Sequence, residues 1–171
     1  MTTQRTIYID MDSVVADWES FAHQILGSGT LDINGRWPDE DWARLKACKT
    51  FYRHLPKMPR ADDMMALARR FRDELGWNLF MLTAIPHNND VPEVYQHKIE
   101  WQLERYPDVM VHFGPYSFEK QNHCKPGDIL VDDRTSNCEE WTNRGGIAVQ
   151  VTRDYALALK ELQGLFDGFR E

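Results

Sequence analysis

The sequence predicts an α/β fold: a Rossmann-like core with a central parallel sheet, flanking helices and a small helical insertion. Strand and helix signals alternate along most of the 171 residues, which is typical of parallel strands joined by crossover helices. Two apolar strand segments end directly in pairs of carboxylates, Asp10 with Asp12 and Asp132 with Asp133. The length suits one domain with at most a small subdomain.

The first part of the chain contains one strand, one helix and an interruption. Residues 6–9 form a short apolar run and predict the first strand. Residues 14–26 carry apolar side chains at helical spacing and predict a helix that ends at the Gly27-Ser28-Gly29 stretch. Residues 30–58 place aromatic residues among charges and prolines, which favours a small helical insertion over another strand–helix unit.

The alternation then resumes to the end of the chain. The predicted elements are a helix over 61–75, a strand over 77–82, a helix over 92–105, strands over 109–113 and 129–131, a short helix over 136–143, a strand over 146–151 and a helix over 154–166. We therefore predict that residues 1–28 and 60–171 form the α/β core and that residues 29–59 form a small helical cap.

Composition limits the classes of function. A net charge of −7 argues against sequence-independent nucleic-acid binding, although it permits a small phosphorylated substrate. No long apolar run and no signal pattern are present, so we expect a soluble cytoplasmic protein without membrane association. Three cysteines without Cys-x-x-Cys spacing disfavour a disulfide framework or a structural zinc site. The sequence leaves a homodimer open.

The two acidic pairs predict a metal site. The carboxyl ends of parallel strands meet at one edge of the sheet, where α/β proteins bind their ligands. Four carboxylates gathered there would repel one another and raise one another's pKa. A hard divalent cation with oxygen ligands relieves that repulsion, and Mg²⁺ is the natural candidate.

Further chemical groups follow in order along the chain. Thr83 ends the second predicted strand, and Lys120 and Lys125 both precede the fourth. Asp-x-Asp alone is weak evidence, but the ordered set of Asp-x-Asp, Thr, Lys and Asp-Asp resembles the haloacid dehalogenase (HAD) superfamily of phosphotransferases. The resemblance extends from residue 6 to about residue 151.

Within that superfamily the chain most resembles the 5'(3')-deoxyribonucleotidases. The similar segments are Asp10-Met-Asp-Ser-Val-Val-Ala-Asp-Trp18, Phe51-Tyr-Arg-His-Leu-Pro-Lys-Met-Pro59, Leu82-Thr-Ala-Ile-Pro86 and Ile129-Leu-Val-Asp-Asp-Arg134. The chain departs from the family pattern at Ser13 and Arg60, where glycine is common, and at Ala84, where serine is frequent. None of these departures removes a reactive group, but they leave substrate choice open.

The resemblance implies roles for the matching residues. Asp10 would be the nucleophile that forms an aspartyl-phosphate, and Asp12 would be the general acid and base. Mg²⁺ would be held by Asp10, by the backbone carbonyl of Asp12, and by Asp133 with Asp132 as a close partner. Thr83 and the backbone N–H of Ala84 would bind a phosphoryl oxygen.

Several residues keep two interpretations. A lysine would supply a fixed positive charge to the phosphate; we favour Lys120, with Lys125 as the alternative, since Lys125 lies directly before a Pro-Gly turn. Trp18 and Phe51 either line a pocket that stacks a nucleobase or pack within the cap and core. His87, just past Thr83, is the histidine best placed for the mouth of such a site.

The sequence thus predicts Mg²⁺-dependent hydrolysis of (deoxy)ribonucleoside monophosphates. One alternative is a HAD phosphatase for another small phosphate ester or for a nucleic-acid 3' end, which the net charge disfavours. Another is a non-catalytic nucleotide-binding module, although such modules usually lack one of the two motif aspartates. A receiver-type phospho-acceptor domain fits the order of the acidic residues poorly.

Overall fold

The architecture is a five-stranded parallel sheet with helices on both sides, as the sequence predicted. The computed structural model describes residues 4–27, 38–86 and 93–171. Its strands are β1 (Thr6–Ile9), β2 (Asn78–Thr83), β3 (Val111–Phe113), β4 (Ile129–Asp132) and β5 (Ile147–Gln150). Its α-helices are α1 (Trp18–Leu26), α2 (Asp39–Ala47), α3 (Ala61–Leu75), α4 (Val94–Arg105), α5 (Thr135–Asn143) and α6 (Tyr155–Arg170). Two 3₁₀-helices cover Phe51–Arg53 and Ser117–His123.

The strand order places a crevice at the end of β1. The order is β3-β2-β1-β4-β5, so the chain builds outward from β1 on one side and then crosses to the other. Ile9 is in register with Met81 of β2 and with Val131 of β4. The residues that follow these three strands therefore meet at a topological switch point, the usual ligand position in open α/β sheets.

The two faces of the sheet bury separate apolar clusters, because neighbouring side chains of a strand point to opposite faces. Ile7 and Ile9 belong to the larger core, which also contains buried residues of α3 and α6. Tyr8 belongs to a smaller cluster with Leu82, Leu130 and Trp141. Burial on both faces explains why the strands read as nearly continuous apolar runs.

The predicted helix over 14–26 is wrong at its beginning, since α1 begins only at Trp18. Residues 11–16 form a compact turn in which the backbone N–H groups of Val14, Val15 and Ala16 all point at the Met11 carbonyl. Asp17 then caps α1 by accepting a hydrogen bond from the Ser20 N–H at 3.2 Å. The apolar residues at 14 and 15 are buried, but they are held by this turn.

Two residues have a left-handed backbone conformation. Ser13, within this turn, has φ +62°, and Arg60, just before α3, has φ +67°. These are the two positions at which the chain lacks the glycine common in the deoxyribonucleotidases, and glycine adopts positive φ without the steric cost that other residues carry. The family pattern at both positions therefore has a backbone explanation.

Other differences from the prediction concern element ends and the insertion. β3 begins two residues later than predicted, at Val111, and α6 continues past residue 166 to Arg170. Within the predicted cap, the structure shows α2 and the first 3₁₀-helix. Residues 29–37 of the cap, His87 and the predicted helix start at Pro92 lie outside the described residues. In the described part of the chain, no helix is long and apolar enough to span a membrane.

Candidate active site

Three carboxylates converge at the carboxyl edge of the sheet. Asp10 follows β1, Asp132 ends β4 and Asp133 comes directly after it. Ligand oxygens of these three residues all lie within 4.8 Å of one another. Asp10 and Asp132 are buried, and Asp133 is half-buried. The strand register thus brings distant parts of the chain into one acidic cluster, which we define as Asp10, Asp132 and Asp133.

Lys120 is the lysine that reaches the acidic cluster. Its Nζ lies 2.8 Å from Asp10 Oδ1 and 2.7 Å from Asp132 Oδ2, and its side chain is almost fully buried. Lys125, the alternative, is exposed, and its backbone N–H bonds to Asp128 at the other end of β4. The backbone at Gly114 lies close against the backbone at Lys120, since a Cβ built on Gly114 would be 2.9 Å from the Lys120 Cα.

Asp132 and Asp133 have different surroundings. Asp132 already accepts hydrogen bonds on both oxygens, from Lys120, from the Arg134 N–H and from the Asn137 side chain. Asp133 is half-buried at the rim of the cluster. Asp132 is thereby held in place, and Asp133 is the more available of the two as a ligand.

Asp12 faces a second buried lysine that the sequence interpretation missed. Lys98 of α4 is fully buried, and its Nζ donates to Asp12 Oδ2 at 2.6 Å and to Thr83 Oγ1 at 2.7 Å. Among the described residues, the other Asp12 oxygen, Oδ1, is buried without a hydrogen-bond partner. Lys98 therefore joins the ends of β1 and β2 and leaves one Asp12 oxygen unengaged.

A sequence signal for Lys98 existed. The buried residues of α4 recur at helical spacing: Val94, His97, Lys98, Trp101 and Gln102. This is the stripe by which the helix faces the protein, so Lys98 occupies an inward position where a lysine needs a charged partner. A lysine in a buried stripe is thus a candidate site residue on pattern alone.

Burial and mutual repulsion dominate the electrostatics of the acidic cluster. Burial raises the pKa of Asp10 to about 8, with Lys120 opposing the shift and Asp132 adding to it. Burial and the neighbouring Asp132 raise the pKa of Asp133 to about 7. Its two carboxylate neighbours raise the pKa of Lys120 despite burial, so this lysine stays charged.

The residues present fit a magnesium ion. Three carboxylates face one lysine, so two negative charges remain uncompensated when all three are ionised. The donor set is entirely oxygen, as Mg²⁺ prefers. Asp10, Asp133 and the backbone carbonyl of Asp12 would hold the ion, with Asp132 beside them.

The aromatic residues of the insertion form a cluster with α1. Phe51 is buried and packs against Trp18, Phe21 and Tyr52, with ring centroids 5.7, 5.4 and 5.1 Å away. Tyr52 of this cluster lies beside a charged group of the site, since Lys98 Nζ is 5.1 Å from its ring centroid. Burial and the neighbouring Asp12 carboxylate both raise the pKa of Tyr52.

Ala84 follows Thr83 at the end of β2 and is half-buried.

Comparisons with known proteins identify the family. The family model described as 5' nucleotidase, deoxy (pyrimidine), cytosolic type C protein matches residues 4–160. No curated protein matches the sequence. Among solved structures, a HAD family enzyme from Bacteroides thetaiotaomicron, in complex with magnesium and inorganic phosphate, aligns with 12% identity and a TM-score of 0.45 over 88% of this chain and 96% of its own. Because the family model covers nearly the whole chain, the protein belongs to this nucleotidase family.

Proposed function

We propose that this chain is a Mg²⁺-dependent phosphatase of deoxyribonucleoside monophosphates that works through an aspartyl-phosphate on Asp10. The observation that carries the proposal is the acidic cluster, bridged by buried Lys120 at the switch point of the sheet. The matched family, described by deoxy pyrimidine 5'-nucleotidase activity and a cytosolic type, supports the substrate class and a cytosolic location.

The first chemical step is assigned to Asp10. Its Oδ1 is engaged by Lys120 at 2.8 Å and by the Met11 N–H at 2.7 Å, so we assign the attack to Oδ2. As the Oδ2–phosphorus bond forms, the bond from phosphorus to the sugar oxygen breaks. That oxygen takes a proton from Asp12, and the nucleoside leaves while the phosphoryl group stays on Asp10.

We assign the proton transfers on both sides of this intermediate to Asp12. Lys98 fixes its Oδ2, and its Oδ1 is the oxygen left to carry the proton. In the second step Asp12 takes a proton from water, and the water oxygen attacks phosphorus. The acyl phosphate bond breaks, which releases inorganic phosphate and restores the Asp10 carboxylate.

The remaining residues bind the phosphoryl oxygens. Thr83 Oγ1 accepts a hydrogen bond from Lys98, so the hydroxyl hydrogen is left to donate to the substrate. The Ala84 N–H adds a second donor, and Lys120 supplies a fixed positive charge. When bound, Mg²⁺ would shield the phosphate from the negative cluster and stabilise the transferring charge.

We further propose that residues 29–59 act as a cap over this site. In support, Tyr52 of this segment lies beside Lys98, and the Trp101 indole of α4 donates to the Leu55 carbonyl at 2.7 Å. The aromatic cluster around Trp18 and Phe51 would then pack the cap, with Tyr52 nearest to the substrate.

The test is phosphate release from a panel of ribo- and deoxyribonucleoside monophosphates, with sugar phosphates as controls. We expect release from deoxyribonucleotides that requires Mg²⁺, is lost with chelator and is lost in Asp10→Asn. Asp17→Asn is the matched control, because the Asp17 side chain caps α1 and asparagine also caps helices well. Turnover of sugar phosphates alone would refute the nucleotide substrate, and undiminished activity in Asp10→Asn would refute the nucleophile.

A further inference from the structure

A buried amide connects three elements around the acidic cluster. Asn137 of α5 is 3% exposed and contacts both Asp132 of β4 and Ser117 of the second 3₁₀-helix. We propose that Asn137 is a positioning residue, which fixes the Asp132 carboxylate and, through Ser117, ties the segment carrying Lys120 to the acidic cluster. The proposal rests on the proposed function for its catalytic consequence.

The hydrogen bonds restrain the rotation of the Asp132 carboxylate. Asn137 Nδ2 lies 2.9 Å from Asp132 Oδ1 and 3.0 Å from Oδ2, so one N–H group is placed between the two oxygens. The Arg134 N–H holds Oδ1 at 2.9 Å and Lys120 Nζ holds Oδ2 at 2.7 Å. Asp132 is 0% exposed, so water cannot readily replace a lost donor.

The chemistry of the neighbours fixes the orientation of the amide. An ionised carboxylate can only accept, so the NH₂ group of Asn137 must face Asp132. The amide oxygen then faces the other way and accepts a hydrogen bond from Ser117 Oγ at 2.8 Å. The reverse orientation would set the amide oxygen against the carboxylate oxygens.

Ser117 extends this restraint to the lysine. It begins the 3₁₀-helix that contains Lys120, and Lys120 returns to bond the same Asp132 carboxylate. The path from Asp132 through Asn137 and Ser117 to Lys120 therefore closes on itself. We expect this closed arrangement to keep the lysine and the Asp132 carboxylate in the same relative position when the charge of the acidic cluster changes.

The first test is Asn137→Ala, with Mg²⁺ alone as the probe. Removing a hydrogen-bond partner of a metal ligand typically costs about 10–100-fold in metal affinity or activity. Because Asp132 lies beside the ligands, we expect a loss at the lower end of that range, about 10-fold, in Mg²⁺ affinity, measured by calorimetry without nucleotide, and in kcat, with KM nearly unchanged. Ser136→Ala, at an exposed position of the same helix, is the control and should match the wild type. A folded Asn137→Ala protein with unchanged Mg²⁺ affinity and kcat would overturn the proposal.

The second test uses Ser117 in case Asn137→Ala does not fold. Ser117→Ala removes the hydroxyl, whereas Ser117→Thr retains it. We expect weaker Mg²⁺ binding in the alanine variant and recovery in the threonine variant; equal behaviour of the two would contradict the link through Ser117. If no nucleotide is turned over by the wild type but Asn137→Ala still weakens Mg²⁺ binding, the proposed function fails and the positioning role stands.

Discussion

At the scale of single residues, the two lysines before β4 differ by burial and contacts rather than by sequence context. Lys120 contacts two carboxylates and is almost fully buried, whereas Lys125 is exposed. We expect Lys120→Ala to lower kcat by about 10²–10³-fold, the usual cost of removing one preorganised donor to the reacting charge. Steady-state kinetics on the best deoxyribonucleotide measures this loss.

Lys125→Ala is the matched control for that measurement. It removes the same side chain five positions later along the chain and leaves the acidic cluster untouched, so kcat should stay at the wild-type value. A strong loss in Lys125→Ala together with normal activity in Lys120→Ala would reverse the assignment. The sequence favoured Lys120 but left both lysines open because each precedes the same strand, and only the fold decides which one points at Asp10.

Lys98 is a site residue that the motif pattern did not predict. The charged motif residues were expected at or near the ends of strands, and Lys98 lies in the middle of α4. Its partners, Asp12 and Thr83, are 86 and 15 positions away along the chain. The buried stripe of α4 marks Lys98 as facing inward, but only the packing of this helix decides that Lys98 reaches Asp12 and Thr83.

At the scale of elements, Gly114 controls how closely the second 3₁₀-helix approaches the end of β3. A Cβ at this position would lie 2.8 Å from Lys120 Cγ and 2.9 Å from its Cα, so the backbone that carries Lys120 would have to move. We expect Gly114→Ala to lower kcat by about 10²-fold, since a displacement near 1 Å can have that effect. Overpacking should also lower the free energy of unfolding by about 1–3 kcal/mol.

Gly164→Ala provides the comparison for Gly114→Ala. Gly164 lies inside α6, and a Cβ there would meet no heavy atom of the described residues within 4 Å apart from its own stretch of helix backbone. Alanine suits a helix interior better than glycine, so this variant should gain roughly 0.5–1 kcal/mol in free energy of unfolding with unchanged kcat. Thermal unfolding and kinetics of both variants test the pair; normal activity in Gly114→Ala would show that Lys120 tolerates the shift.

Element types were predictable from this sequence, and some element ends were not. The apolar runs predicted each of the five strands of the sheet, and the pattern is clearest for β1 and β4, which are buried along their whole length. The start of α1 was missed because the turn after β1 buries Val14 and Val15, which mimics helical spacing. That turn contains Ser13 with a positive φ, a backbone conformation that the presence of a serine does not predict.

At the scale of the whole molecule, we expect the acidic cluster to oppose folding. Its three carboxylates face one lysine, and burial together with their repulsion raises the pKa of Asp10 to about 8 and that of Asp133 to about 7. The acidic residues could be predicted to meet from the strand pattern alone, since parallel strands share one carboxyl edge. The strand pattern could not predict which of these carboxylates is compensated by hydrogen bonds. The donors that hold Asp132 come from α5 and from the second 3₁₀-helix.

We expect the stability of the entire domain to report Mg²⁺ binding at the acidic cluster. A ligand that binds only the folded state adds about 2.7 kcal/mol at a hundredfold excess over its Kd. We expect Mg²⁺ to raise the free energy of unfolding of the wild type by an amount of this kind, measured by thermal unfolding. Asp133→Asn removes one carboxylate, so it should raise the stability of the metal-free protein and lose most of the increase.

Phe166→Ala separates this effect from stability in general. Phe166 of α6 is fully buried and packs against Phe71 of α3 at a ring-centroid distance of 5.2 Å, among residues of the larger core rather than of the site. The substitution should lower the free energy of unfolding by about 3–5 kcal/mol while the Mg²⁺ increment stays as in the wild type. Persistence of the increment in Asp133→Asn would mean that the cation binds elsewhere. Loss of the increment in Phe166→Ala would mean that metal binding depends on packing of the larger core as well as on the acidic cluster.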